Sequence, residues 1–296
     1  MRQEIKELLL QAQRSEITEH FVYKKLAEGI KDEHNKKVLV HISEDELKHY
    51  NIWKEHTKQD VKLSSFTFWK YYLISKIFGL TFGLKLMEKG EEAAQDNYKK
   101  ISKHIKGDAE KIERDEQRHE KEILKMLDEE RLRYVGSIIL GLNDALVELT
   151  GALAGLTLAL QNSQLIAMAG LITGIAASLS MGASEYLSTK SEAGKNGLDK
   201  DGKHPIKASV YTGITYILTV MFLIFPYLII NRLYVSLVWM MANAIIVIFL
   251  FTYYISVAKD IDFKKEFWGM ALVSLGVAVV SFGIGYLVRI LFGVEV

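Results

Sequence analysis

Two sets of residues in this chain have the types and spacing of metal chemistry, and they lie in unlike surroundings. The first is in Gly141–Gly151, Gly-Leu-Asn-Asp-Ala-Leu-Val-Glu-Leu-Thr-Gly, where Asp144 and Glu148 interrupt a run otherwise apolar enough to cross a membrane. A charge at bilayer depth costs about 2.5–3.5 kcal/mol on insertion scales, so such residues face a bundle interior and mark a path for ions. At i and i+4 the two carboxylates share one helix face. About forty residues on, Met181 and Glu185 in Met-Gly-Ala-Ser-Glu-Tyr share a face in the same way. A thioether beside carboxylates suits a divalent transition metal better than magnesium or calcium, which prefer oxygen alone. The competing reading is a polar cluster that only packs helices.

The second set is soluble in character. Glu-x-x-His occurs at Glu46-Leu-Lys-His49 and again at Glu116-Gln-Arg-His119. An i, i+3 pair points to one side of a helix. Two further acids, Glu16 and Glu91, are each followed seven residues later by a tyrosine, Tyr23 and Tyr98, so the pattern Glu…Tyr…Glu-x-x-His appears twice in order. One Glu from each of two helices, with Glu-x-x-His from each of two others, is the ligand set of a carboxylate-bridged di-iron or di-manganese bundle. Single acids in a charged helix are ordinarily solvated; the duplication is what argues for a site. Glu92 is the alternative to Glu91, and Glu19 and Glu113 could enlarge the site. His20, His34, His41, His56 and His104 lack this context and read as surface or packing residues.

The elements that must carry these residues divide the chain in two. Overall it has formal net charge +1, 49% hydrophobic and 25% charged residues, which averages a charged half up to about residue 133 with an apolar half after Tyr134. There is no Cys, so any metal must sit on carboxylate, imidazole or thioether, and a cysteine nucleophile is excluded. The opening Met-Arg-Gln-Glu-Ile-Lys-Glu has acids where a signal peptide has an apolar core, so export by that route is not expected. The first half holds neither of the two prolines, and its apolar residues recur at three- and four-residue steps. We expect helices over about 2–29, 33–58, 66–104 and 108–130. The third begins with an aromatic stretch broken by Lys70, Lys76 and Lys85, and reads as an amphipathic helix at a dimer seam or the membrane surface rather than a span.

In the second half, apolar runs at about 134–160, 164–189, 208–230, 233–258 and 267–292 each reach the ~20 residues that cross the hydrocarbon. The expected fold class is therefore all-α: a four-helix bundle over 1–130 and five spans over 131–296. Lys and Arg cluster before the first span and after the second and fourth, which puts the N-terminal domain in the cytoplasm and the C-terminus outside the cell membrane. Gly151/Gly155 and Gly170/Gly174 are small residues four apart that let helices approach. Asn243 is expected to make an interhelical hydrogen bond. An antiparallel hairpin of the first two spans would bring Asp144 to about the depth of Met181, with Glu148 deeper and Glu185 nearer the cytoplasm.

Asp-Glu46-Leu-Lys-His49, Asp-Glu116-Gln-Arg-His119 and Gly-Glu91 with Tyr98 resemble the rubrerythrin and erythrin branch of the ferritin-like superfamily over about residues 5–128. That resemblance implies a ferritin-like di-iron site of Glu16, Glu46, His49, Glu91, Glu116 and His119, and a possible ferroxidase activity. Rubrerythrins proper deliver electrons through a Cys site, which this chain lacks. Gly-Leu-Asn-Asp144-Ala-Leu-Val-Glu148 and Ser180-Met181-Gly-Ala-Ser-Glu185-Tyr-Leu-Ser look like the first- and second-span motifs of vacuolar iron transporters, over about residues 130–292. That implies a dimeric five-span carrier of Fe²⁺, and often Mn²⁺, exchanging metal for protons, with Asp144, Glu148, Met181 and Glu185 on the path. The pairing of the two domains resembles prokaryotic membrane-bound ferritins. Expected partners are metal ions, protons, the lipid bilayer and a second copy of the chain, with no nucleic acid. A membrane-anchored ferroxidase or peroxidase without transport is the alternative.

Overall fold

The computed structural model describes residues 3–125, 133–194 and 196–292, apart from the side chains of 91–99, 106, 124, 125 and 292. Among the described residues every regular element is helical. The chain divides into two compact units, Met1–Glu129 and Glu130–Val296.

Among the described residues the first unit has five helices. We label them α1 (Gln3–Ala27), α2 (Glu33–Thr57), α3 (Ser65–Phe78), α4 (Leu80–Ser102) and α5 (Lys106–Lys125). Contacts run from α1 to α2, α2 to α5, α5 to α4 and α4 back to α1, so the four longer helices close a ring. Asp32 starts α2 by accepting the Asn35 amide at 2.8 Å, satisfying one of the donors a helix N-terminus leaves open. The apolar residues form two clusters. One gathers Val22, Leu39, Ile42, Leu84, Met87 and Ile123, the other Leu9, Trp53, Ile101, Ala109 and Ile112. On α1, α2 and α5 the residues between the two clusters in sequence are Glu16, Glu46 with His49, and Glu116 with His119. The acids and imidazoles thus lie between two dry layers.

The single helix expected over 66–104 is two helices. Gly79 has φ +104°, a backbone that a side chain would strain, and it ends α3 and begins α4. The apolar pattern continues through the break, which is why it does not show in periodicity. α3 packs on α1 and α4 and lies outside the ring.

Among its described residues the second unit has five helices long and apolar enough to cross a membrane: α6 (Val135–Leu160), α7 (Ser163–Glu192), α8 (Pro205–Ile229), α9 (Leu233–Lys259) and α10 (Phe263–Phe292). They fit the five expected apolar runs. α8 is the central element, packing along α7, the first half of α6, and α9. The second half of α6 packs on α10 instead. There the backbones meet: a Cβ on Gly285 would stand 2.1 Å from the Gly155 carbonyl oxygen, so only glycine permits this approach. Gly174 faces Val220 of α8. The Asn243 amide donates to the Phe222 carbonyl at 2.9 Å, the interhelical bond its position called for. The hairpin expected of the first two spans is loose, since α7 makes most of its contacts with α8.

Candidate metal centre

α1 contributes Glu16, α2 contributes Glu46 and His49, and α5 contributes Glu116 and His119. Glu16, Glu46, His49 and His119 are buried, and Glu116 is half-buried. Glu16, Glu46, His49 and Glu116 each offer a ligand atom within 4.8 Å of the others, the one such group among the described residues. His49 Nδ1 lies 3.5 Å from Glu16 Oε2, 3.4 Å from Glu46 Oε2 and 3.2 Å from Glu116 Oε1. His119 Nδ1 lies 3.2 Å from Glu46 Oε1 and 3.6 Å from Glu116 Oε2. Each of Glu46 and Glu116 therefore turns one oxygen to each histidine. Yet both Glu46 oxygens and both Nδ1 atoms are buried with no hydrogen-bond partner. Buried polar atoms left this way cost about 1–3 kcal/mol each, and a divalent cation among them would satisfy them. The donor set, imidazole and carboxylate, suits iron, manganese or zinc.

The other ring nitrogens are held from behind. Asp115 Oδ2 stands 3.4 Å from His49 Nε2, and Asp45 Oδ2 stands 3.2 Å from His119 Nε2. Each aspartate precedes the Glu-x-x-His of one helix and braces the histidine of the other, so the duplicated Asp-Glu-x-x-His closes on itself. Arg118 ties the pair, with its guanidinium 2.6 Å from Asp45 and 3.1 Å from Asp115. Lys48 donates to Asp45 at 2.7 Å, and His41 lies 3.5 Å from it. Trp53 donates to Glu16 Oε1 at 2.9 Å, leaving Oε2 toward His49. An aspartate that accepts the Nε2 proton fixes the tautomer with Nδ1 free for a metal.

The protonation states fit that role. Burial, reinforced by the nearby Glu46 charge, pushes the Glu16 carboxyl up to about 8 against the pull of His49. Burial acts on Glu46 in the same direction, but His119 and His49 outweigh it and hold that carboxyl well below the usual range. Burial would lower both imidazoles; Glu116, Glu16 and Glu46 instead raise His49 far above its ordinary value, and Glu116 and Glu46 raise His119 to about 10. Burial opposes the charge on Asp45, which Lys48, His119 and His41 nevertheless hold down to about 2. Without metal, protons stand where a cation would sit.

The remaining expected residues fall as follows. The Glu91, Glu92 and Tyr98 side chains lie outside the described residues. Glu19 is half-buried, and burial with the Glu46, Glu16 and Glu116 charges raises its carboxyl well above the ordinary range. Glu113 is exposed. Among the other histidines, His20 is buried and bonded to Ser43, and His56 faces Asp108 at 2.7 Å. Asp45, Asp115, Arg118 and Trp53 were not singled out from sequence. The one available signal was that Asp precedes Glu in both copies of the motif.

In the second unit, Glu148 is on a turn of π-helix, Ala145–Leu149, inside α6. Such a turn is a frequent mark of a functional site. Glu148 accepts a hydrogen bond from Tyr216 of α8 at 2.8 Å, and the tyrosine is fully buried whereas Glu148 is exposed within the chain. Glu185 accepts from Ser137 of α6 at 2.6 Å, which sets it two helical turns nearer the start of α6 than Asp144. Asp144 is half-buried, and Met181 is partly buried against the apolar core of the unit. Within one chain these carboxylates do not form a coordination group among the described residues.

Residues 135–197 match the VIT family, a segment that covers α6 and α7 and includes Asp144, Glu148, Met181 and Glu185. No curated protein matches the chain. This segment and the five apolar helices fit a vacuolar iron transporter membrane domain and point to transport of a metal ion.

Proposed function

We propose that the chain exports Fe²⁺, with Mn²⁺ as a second substrate, from the cytosol across the cell membrane in exchange for protons, and that its first unit is a cytoplasmic ferritin-like di-iron bundle. The observation that carries the transport reading is the set of carboxylates and one thioether within the matched spans, where an anchor would need none. The basic connections after α7 and α9 support an orientation with the first unit inside and the C-terminus outside.

The chemistry of the path follows from competition. A carboxylate at membrane depth can hold a proton or help hold a divalent cation, and it resists holding both. With the path open to the cytoplasm, Fe²⁺ displaces protons from Asp144, Glu148 and Glu185; with it open to a more acidic outside, protons displace Fe²⁺. Met181 does not titrate and contributes preference for softer ions. Tyr216 orients Glu148 for this exchange. Glu148, exposed on the outer face of its own chain's spans, supports a homodimer in which a second copy covers it from lipid.

In the first unit, Glu46 and Glu116, each near both histidines, would help to hold two ions. Glu16, His49 and His119 would hold them as well, with Glu91 as the expected further ligand from α4. An iron pair held there would supply electrons, one from each Fe²⁺, to dioxygen or peroxide, which is reduced as the iron becomes Fe³⁺. The residues themselves bind and orient: Asp45 and Asp115 keep the imidazoles presenting Nδ1, and the apolar layers keep water out. Capture, oxidation or sensing of iron before export all use this arrangement.

A second reading, a membrane-anchored ferroxidase or peroxidase, draws on the same buried centre on α1, α2 and α5. Purified protein in proteoliposomes separates the two. The transport reading expects Fe²⁺, and Mn²⁺ to a lesser extent, to cross under an imposed pH gradient with opposite movement of protons. No metal crossing beyond that of empty vesicles, with oxidase activity intact, would leave the anchored enzyme.

A further inference from the structure

α3 has two faces that differ in kind. Phe68, Tyr71 and Tyr72 pack inward on the apolar cluster of the first unit. Phe66, Trp69, Leu73 and Ile77, spaced three and four residues apart along the opposite face, are 82%, 54%, 49% and 63% exposed. Among the described residues these four side chains stand largely open. Isolated apolar residues on a surface need no explanation, but an aromatic and aliphatic stripe along three helical turns does.

Charge and chain length say what covers it. Lys70 and Lys76 flank the stripe on either side, both exposed, with their ammonium groups near the Tyr71 and Tyr72 rings. From Val61 to Met87 there are four lysines, Lys62, Lys70, Lys76 and Lys85, and no acid, in a unit otherwise crowded with Asp and Glu. A Trp/Phe/Leu/Ile face rimmed by lysines is the composition of a helix that lies in the plane of a membrane interface. Only the residues from Lys125 to Val135 join this unit to the first membrane-capable helix, a reach of at most about 35 Å. The unit is therefore held close to a bilayer at high effective concentration. A second copy of the chain would meet the stripe with the same lysine rim, like charge facing like, which argues against self-association through it.

We propose that the outer face of α3 docks into an anionic phospholipid leaflet, with Phe66, Trp69, Leu73 and Ile77 in the acyl–headgroup boundary and Lys62, Lys70 and Lys76 on the lipid phosphates. Membrane charge attracts each lysine near the surface strongly enough that neutralising one lowers the docked-to-free ratio about fivefold.

The absence of Cys makes the test direct. Full-length Leu73→Cys, Ile77→Cys and, as a solvent control, Glu110→Cys each receive one nitroxide label in nanodiscs of phosphatidylcholine with or without phosphatidylserine. Labels at 73 and 77 should collide with oxygen and be shielded from a water-soluble nickel chelate, with the reverse at 110. The shielding should fall when phosphatidylserine is left out and in Lys62→Gln/Lys70→Gln. Labels open to the nickel chelate in both lipids would overturn docking. Labels shielded from both quenchers and broadened by spins in a second copy would overturn the lipid as occupant. Equal immersion in both lipids would overturn the role of the lysine rim. Retained helicity and metal uptake establish that each variant is folded, and none of these outcomes depends on whether the protein transports metal.

Discussion

Removing Asp45 tests the metal centre through a residue that touches no metal. Its Oδ2 stands 3.2 Å from His119 Nε2 and 2.6 Å from the Arg118 guanidinium, and its Oδ1 accepts from Lys48 at 2.7 Å. When His119 gives Nδ1 to a cation its remaining proton is on Nε2, and Asp45 both orients the ring and raises its basicity. Loss of such a partner lowers metal affinity about 10- to 100-fold, roughly 1.4–2.7 kcal/mol. Asp45→Asn keeps an acceptor without charge and should fall near the low end; Asp45→Ala keeps neither and should fall near the high end. His49 is braced by Asp115 instead, so the loss should strike one binding step and spare the other. Calorimetric titration of the full-length protein in detergent, anaerobically with Fe²⁺ and in parallel with Co²⁺, resolves the two steps. If Asp45→Ala binds both ions within about twofold of the unsubstituted protein, the cross-braced arrangement is not what holds the imidazoles, and the two-ion reading loses its support.

Metal binding to the first unit should release protons. Glu16 titrates near 8 and His119 near 10 without metal, so both hold a proton at neutral pH. Affinity should therefore rise roughly tenfold per pH unit for each proton displaced as the pH climbs toward these values, and fall on acidification; a pH-independent affinity would contradict the protonation states. Gly285→Ala places a methyl 2.1 Å from the Gly155 carbonyl, which forces α6 and α10 apart at a cost of about 1–3 kcal/mol. Its thermal midpoint in detergent should drop well below that of Gly283→Ala, where a Cβ meets nothing within 4 Å. Tyr216→Phe removes the 2.8 Å hydrogen bond to Glu148 while preserving nearly all of the buried volume, so metal flux should fall with little change in stability; unchanged flux would take Glu148 off the path.

Much of this organisation was legible in the residues, and the illegible parts share a cause. The duplicated Glu-x-x-His named the helices that converge, because ligand spacing on a helix is local information. The structure brings Glu16, Glu46, His49, Glu116 and His119 together, whereas the Glu91 side chain lies outside the described residues. Asp45, Asp115 and Arg118 were hidden because they are three charged residues among many, and only the packing of α2 against α5 shows which of them face a histidine. Tyr216 was hidden by the opposite contrast, one more large side chain in an apolar span. The break at Gly79 was missed because apolar periodicity continues across it and a lone glycine in a helical pattern is weak punctuation. Span lengths were read well, since the hydrocarbon thickness fixes them. The partner of each span was not, since a uniformly apolar helix carries no face to read.

The most direct test of transport compares Fe²⁺ entry into proteoliposomes under an imposed pH gradient for three proteins: the unsubstituted chain, Asp144→Asn, and Glu46→Ala/Glu116→Ala. Asp144→Asn removes a titrating ligand from the spans and should abolish Fe²⁺-coupled proton movement, while the double variant should empty the first unit and keep residual flux at high Fe²⁺. Asp144→Asn moving Fe²⁺ at the unsubstituted rate, with the same dependence on the pH gradient, would contradict the account.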